Sequence, residues 1–110
     1  MHAVHPDQLE KEVWEGFPFY TLVPPVVGRN VEVYELEITQ ANPHKHEGEN
    51  QIYIVRTGKG IMRIDDEAQE VGPGWVVHIP TGKMHSLEPL DGSSVVVYSI
   101  KHMLQPDVGA

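Results

Sequence analysis

His44-Lys45-His46-Glu47-Gly48-Glu49-Asn50-Gln51-Ile52-Tyr53-Ile54-Val55-Arg56-Thr57-Gly58-Lys59-Gly60 joins a histidine pair to an apolar run and closes on a glycine turn. Residues i and i+2 of an extended chain point to the same side, so His44 and His46 can offer two imidazoles to one ion. Gln51 follows with an amide oxygen at the start of the apolar run, and Tyr53 and Val55 share its parity. The run from Gln51 to Val55 is apolar on both parities, which predicts a strand covered on both faces, by a second sheet or a second subunit. Gly58-Lys59-Gly60 reads as a tight hairpin, since glycine supplies the positive φ that such loops require.

Outward from this stretch the chain breaks into short pieces. Nine prolines and ten glycines in 110 residues leave little room for a long helix. Strands are expected over 17–23, 31–39, 51–57, 60–65, 75–79 and 94–100, the spacing of a sandwich or barrel. In the second of these Glu35 and Glu37 alternate with Tyr34, Leu36 and Ile38, one wet face against one buried face. Val95-Val96-Val97-Tyr98 is apolar on both parities. Asp65-Asp66-Glu67, Gly72-Pro73-Gly74 and Pro80-Thr81-Gly82 read as turns, which together punctuate an antiparallel meander. The one helical candidate is 7–15, with Leu9, Val13 and Trp14 as its stripe behind Pro6-Asp7; at about two turns it is marginal, and an extended arm is the alternative. One all-β domain over 1–110 is expected: a small antiparallel barrel with its core in 17–102, an N-terminal arm over 1–16 and a loose tail over 103–110.

Composition narrows the function. Hydrophobic residues make up 40% and charged residues 22%, ordinary for a soluble globular protein. No apolar run approaches the ~20 residues that span a bilayer. The first residues lack a basic start and an apolar core, so the cytoplasm is the expected location. With no cysteine there is no disulfide scaffold, thiolate zinc site or cysteine nucleophile, and any metal must sit on His, carboxylate or amide groups. A formal charge of -8 and the lack of a basic stripe exclude a phosphate backbone as partner. No GxSxG elbow and no P-loop signature is present.

Two further donors strengthen the histidine pair. His85 lies in the rigid stretch Pro80-Thr81-Gly82-Lys83-Met84-His85, which can present an imidazole to a barrel interior, and Gln51 supplies an oxygen. His44, His46, Gln51 and His85 make a site for Fe, Mn, Ni, Cu or Zn with coordination positions left open; the structural alternative has Gln51 and His85 merely capping hairpin ends. His2, His5 and His102 read as solvated imidazoles near the chain ends.

His44-Lys45-His46 with Gln51 and Gly58 resembles the first motif of the cupin superfamily. Gly74 with Pro80-Thr81-Gly82 and His85 resembles its second. The short linker 59–73 between them is similar to that of small single-domain bacterial cupins, and the resemblance covers about 39–89. It implies a double-stranded β-helix of jelly-roll type, a bound divalent metal, and a homodimer. This chain departs from the pattern at three places: Gln51 stands where the family usually has a glutamate ligand, Ile38 where the first motif opens on glycine, and Pro89 where the second closes on asparagine. The first departure concerns chemistry. An amide leaves a divalent ion on three neutral imidazoles at formal +2, a stronger Lewis acid held less firmly than with a carboxylate. Glu49, on the same parity as Gln51, is the alternative ligand or an outer-sphere base.

Catalytic candidates are Glu49, Tyr53 and His78. Tyr53 reads either as core or as a hydrogen-bond donor to a substrate; His78 reads either as a pocket acid/base or as a buried partner of a neighbouring strand. Lys83 and Arg63 read as solvated surface rather than as contacts to an anion. The resemblance allows dioxygenases, isomerases, epimerases, lyases and decarboxylases. The expectation is a small metalloenzyme acting on an oxygen-rich small molecule, of dioxygenase or isomerase/lyase type. The alternative is a non-catalytic module that binds a sugar-like or acidic ligand.

Overall fold

Period-two patterning sets most of the strands seen in the computed structural model, which describes residues 1–104. In chain order they are β1 (Glu12–Trp14), β2 (Phe17–Val23), β3 (Val31–Ile38), β4 (Glu49–Thr57), β5 (Gly60–Ile64), β6 (Glu67–Val71), β7 (Val76–Ile79), β8 (His85–Pro89) and β9 (Val95–Met103). A single helical turn, α1 (Pro25–Gly28), links β2 to β3. Every paired neighbour is antiparallel. One sheet has the order β1-β2-β3-β9-β4-β7 and the other β6-β5-β8. The expected all-β jelly-roll barrel is therefore present. No helix among the described residues is long and apolar enough to cross a membrane.

The core lies where the inward residues of both sheets meet. β4 sends Glu49, Gln51, Tyr53 and Val55 inward, and β9 sends Val95, Val97 and Ser99. Met62 and Leu87 face them from the smaller sheet. The alternate residues Ile52, Ile54, Tyr98 and Ile100 are half-buried within the single chain.

The chain differs from its sequence reading in how the strands connect. Gly58-Lys59-Gly60 is not a hairpin: β4 pairs with β7 and β9, while β5 pairs with β6 and β8, so the turn carries the chain from one sheet to the other. Gly58 has φ +84, and a Cβ there would stand 2.1 Å from the Ser94 carbonyl oxygen. The crossover brings backbone against backbone, and only glycine fits. The crossings after β6, β7 and β8 likewise replace the expected meander, leaving β5 and β6 as a true hairpin around Asp65-Asp66.

Of the two readings of 7–15, a marginal helix or an extended arm, the helix does not form. A 3-10 turn occupies Pro6–Gln8, and β1 adds itself to β2 through Glu12, Val13 and Trp14. Val13 and Trp14 remain 66% and 45% exposed, so they lack the core contact that stabilises a two-turn helix. The arm is thus partly a strand. Met103 ends β9 rather than opening a tail, and 105–110 lie outside the described residues.

Candidate metal centre

The two motifs meet through their backbones. His44, in the connection between β3 and β4, forms an isolated bridge with His85 at the start of β8: each amide donates to the other's carbonyl, at 3.0 and 2.8 Å. Two residues on, the His46 carbonyl accepts from the Gly82 amide at 2.8 Å and from the Thr81 hydroxyl at 3.2 Å. Asn50 accepts from the Thr81 amide at 3.2 Å. The Pro80-Thr81-Gly82 turn is thereby stitched to the histidine pair, and residues far apart in sequence come to one place.

The three imidazoles cluster there. Their ring centroids are 4.3 Å apart for His44 and His85, 4.9 Å for His44 and His46, and 5.5 Å for His46 and His85. One nitrogen of each lies within 4.8 Å of the others, an arrangement that can hold a metal ion. Each Nδ1 is turned toward an oxygen: His44 toward the Asn42 carbonyl at 2.6 Å, His46 toward the Glu49 carboxylate at 2.9 Å, and His85 toward the Lys83 carbonyl at 3.5 Å. These oxygens only accept, so Nδ1 carries the proton and Nε2 keeps its lone pair, the tautomer that ligates.

Burial keeps the His46 and His85 rings neutral. His46 is lowered to about 4 by burial, then by Lys101 and His44. His85, only 2% exposed, is lowered to about 4 by burial and by His44, against a smaller opposing effect of its bond to the Lys83 carbonyl. The Nε2 of His85 is buried without a hydrogen-bond partner. So is the Oε1 of Gln51, whose Nε2 donates to the Ser99 hydroxyl at 2.8 Å and so fixes which end of the amide faces inward. The Oε2 of Glu49 is a third such atom, and these orphaned acceptors beside two more oriented imidazoles are what a cation would satisfy; the donor set suits a divalent transition metal.

The catalytic candidates are divided. Glu49 is buried and engaged with His46; burial raises its carboxyl, with Lys101 working in the opposite direction. Tyr53 lines the cavity beside the cluster, its ring 6.2 Å from that of His85, and burial followed by the Glu49 charge pushes its hydroxyl upward, so it stays protonated. His78 is a correction: it is exposed on the outer face of β7, opposite Ile52, and so is neither a pocket acid/base nor a buried partner. Arg63 pairs with Glu88 and Lys83 with Asp65 at the surface, as expected. His2, His5 and His102 are exposed and outside the cavity.

The cavity itself measures about 370 Å³. Phe17, Phe19, Leu36, Ile38 and Leu87 form its apolar walls, with Trp14 edge-on to His44 at 5.9 Å. Lys101 also lines it, a residue the sequence reading missed. The available signal was parity, because Lys101 continues the inward series of Val95, Val97 and Ser99.

A family model described as a cupin domain matches residues 32–101. An uncharacterized protein of Methanocaldococcus jannaschii is 38% identical over 45 residues, covering 41% of this chain and 36% of that protein. The match thus spans about a third of the relative's length. Among solved structures, a predicted oxalate decarboxylase from Thermotoga maritima is similar with a TM-score of 0.82 at 18% identity, over 93% of this chain and 99% of that one. Ectoine synthase from P. lautus is similar with a TM-score of 0.83 at 12% identity, over 96% and 80%. At such identities the likeness is one of fold.

Proposed function

The chain belongs to the cupin family, and from that premise we propose that it is a small metalloenzyme which holds one divalent transition metal on His44, His46, Gln51 and His85 and acts there on an oxygen-bearing small molecule. The observation that carries this reading is the set of donors: three imidazoles that present Nε2, with the amide oxygen of Gln51 orphaned beside them. Glu49 enters this reading as the group that orients His46 through its Oε1; its Oε2 is buried without a partner as well, so Glu49 is the alternative to Gln51 as the fourth ligand.

A metal bound there supplies Lewis-acid polarisation of a ligand oxygen or, if redox-active, a place for dioxygen, which fits isomerase/lyase or dioxygenase-type chemistry. The residues around it have separate tasks. Ser99 fixes the amide of Gln51, and Glu49 fixes the ring of His46. Tyr53 keeps its proton and can donate it in a hydrogen bond to an oxygen of the bound molecule. The apolar walls exclude water from the reacting end.

One observation favours a second reading, a module that binds its ligand without turning it over. Of the three acid/base candidates, only Tyr53 both lines the cavity and is free of another bond, and a phenol held protonated is a poor base.

Elemental analysis of tag-free protein tests the metal. Wild type is expected to carry about one transition metal per chain and His46→Ala to lose it. Iron, copper or nickel would direct the search toward dioxygen chemistry, zinc or manganese toward isomerase or lyase work. A wild type that is empty and takes up no added metal overturns the enzyme reading.

A further inference from the structure

Lys101 is the only lysine or arginine among the described residues lining the cavity. It is half-buried, with the Tyr34 ring 5.6 Å from Nζ; the charge of the buried Glu49 carboxylate reaches it, but no carboxylate among the described residues forms an ion pair with it. Glu32 stands directly across the strand pair but accepts from the Tyr34 hydroxyl, and Glu49 is engaged by His46. On its other side Lys101 is in register with Gln51, which places the lysine one strand from the metal centre. A partly desolvated cation without a direct ion pair costs stability that an apolar residue at the same position would not. Most of the remaining wall is apolar, formed by Phe17, Phe19, Leu36, Ile38 and Leu87 with Trp14 at the edge, and it is interrupted by the uncharged polar residues Gln40, Asn42 and Ser86. The one cavity carboxylate outside the centre, Glu12, accepts from the Thr21 hydroxyl.

We propose that this cavity selects a small organic carboxylate with an apolar or aromatic body, the carboxylate paired with Lys101 and the body lying against the apolar walls. The inference deepens the function proposed above and rests on its reading of the cavity as the ligand site, though not on the metal. A single lysine matches one negative charge; a phosphate ester would call for more cationic donors than the one this cavity offers. A sugar would leave hydroxyls unpaired along the apolar walls, at a cost for each one buried. A volume of about 370 Å³ suits a compact ligand.

Calorimetric titration of tag-free protein with phenylacetate, phenylacetamide and glucose tests this, with metal-loaded and chelator-stripped samples side by side. Phenylacetate is expected to bind at least tenfold more tightly than its neutral amide, and glucose to give no binding. Lys101→Met should lose at least tenfold in phenylacetate affinity at unchanged metal content, and Lys101→Arg should retain most of it. The proposal is overturned if phenylacetate does not bind, if acid and amide bind alike, if glucose binds more tightly, or if Lys101→Met binds the acid as wild type does. The comparison of acid with amide needs only wild type, so a poorly folded variant does not blunt it. A preference for the acid in protein that takes up no metal supports the carboxylate site while removing the metal reading. Loss of that preference in fully metal-loaded protein does the reverse.

Discussion

His46 offers its Nε2 because Glu49 holds its Nδ1 at 2.9 Å, and Gln51 offers its oxygen because Ser99 holds its amide nitrogen at 2.8 Å. Each partner can be tested apart from the ligand it supports. Glu49→Ala is expected to weaken metal binding by roughly 10–100-fold in chelator competition, whereas Glu49→Gln keeps an acceptor for Nδ1 and should lose less. An unchanged affinity in Glu49→Ala would show that the carboxylate orients nothing. Gln51→Glu places a negative charge at this ligand position, and the Ser99 hydroxyl can donate to a carboxylate as readily as it now accepts from the amide. Slower metal loss to a chelator is expected in this variant, and faster loss would remove Gln51 from the ligand set. His44, His46 and His85 were legible in the sequence because, with Gln51, they stand at the spacing of the two cupin motifs; an HxH pair alone occurs often by chance. Lys101 was not. Ending the last strand at residue 100 left the lysine outside it, while the strand continues to Met103 and turns it inward.

The strands of the element scale were legible where apolar residues recur and illegible where they do not. β6 reads Glu67-Ala68-Gln69-Glu70-Val71 and buries only its last residue, so it has almost no pattern to detect. β8 contains His85, Ser86, Glu88 and Pro89, a site residue and a strand breaker that mask the buried Leu87. The crossings between sheets were hidden for a different reason. A glycine turn has the same local chemistry whether it closes a hairpin or changes sheets, and contacts distant in sequence make the choice. Gly58 carries that choice, with its positive φ and the Ser94 carbonyl against its Cα. Gly58→Ala is expected to destabilise the fold by about 3 kcal/mol, combining left-handed strain with a backbone clash. Urea unfolding measures it, and a loss below about 1 kcal/mol would mean that the crossover relaxes easily. Gly74→Ala, with φ +89 but open space around its Cβ, should carry the strain alone and lose less.

At the scale of the whole molecule, the fold pays for its metal centre when the metal is absent. His46 and His85 ionise near 4 in the folded chain, both lowered first by burial, whereas unfolded histidine ionises near 6.5. Between those values the unfolded chain binds more protons than the folded one, so stability rises with pH across this window and falls as pH drops from about 6.5 toward 4. Glu49 acts in the opposite sense, since burial raises it and protonation relieves it, but one carboxyl works against two imidazoles. Chelator-stripped protein is therefore expected to melt progressively lower from pH 7 to pH 4.5. A bound metal adds to stability by mass action: at a free concentration a hundred times Kd the gain is about 2.7 kcal/mol, worth roughly ten degrees of melting temperature in a domain of this size. Protons compete with the metal for the same imidazoles, so this gain should shrink over the same interval, and the loaded and stripped melting curves should converge toward pH 4.5. The His46→Ala variant should follow the stripped curve with a shallower slope, because one of the two buried imidazoles is gone. Scanning calorimetry at stepped pH reads all three samples. A stripped protein whose melting temperature is flat over this range would mean that the imidazoles are reached by water and are not held neutral by the fold.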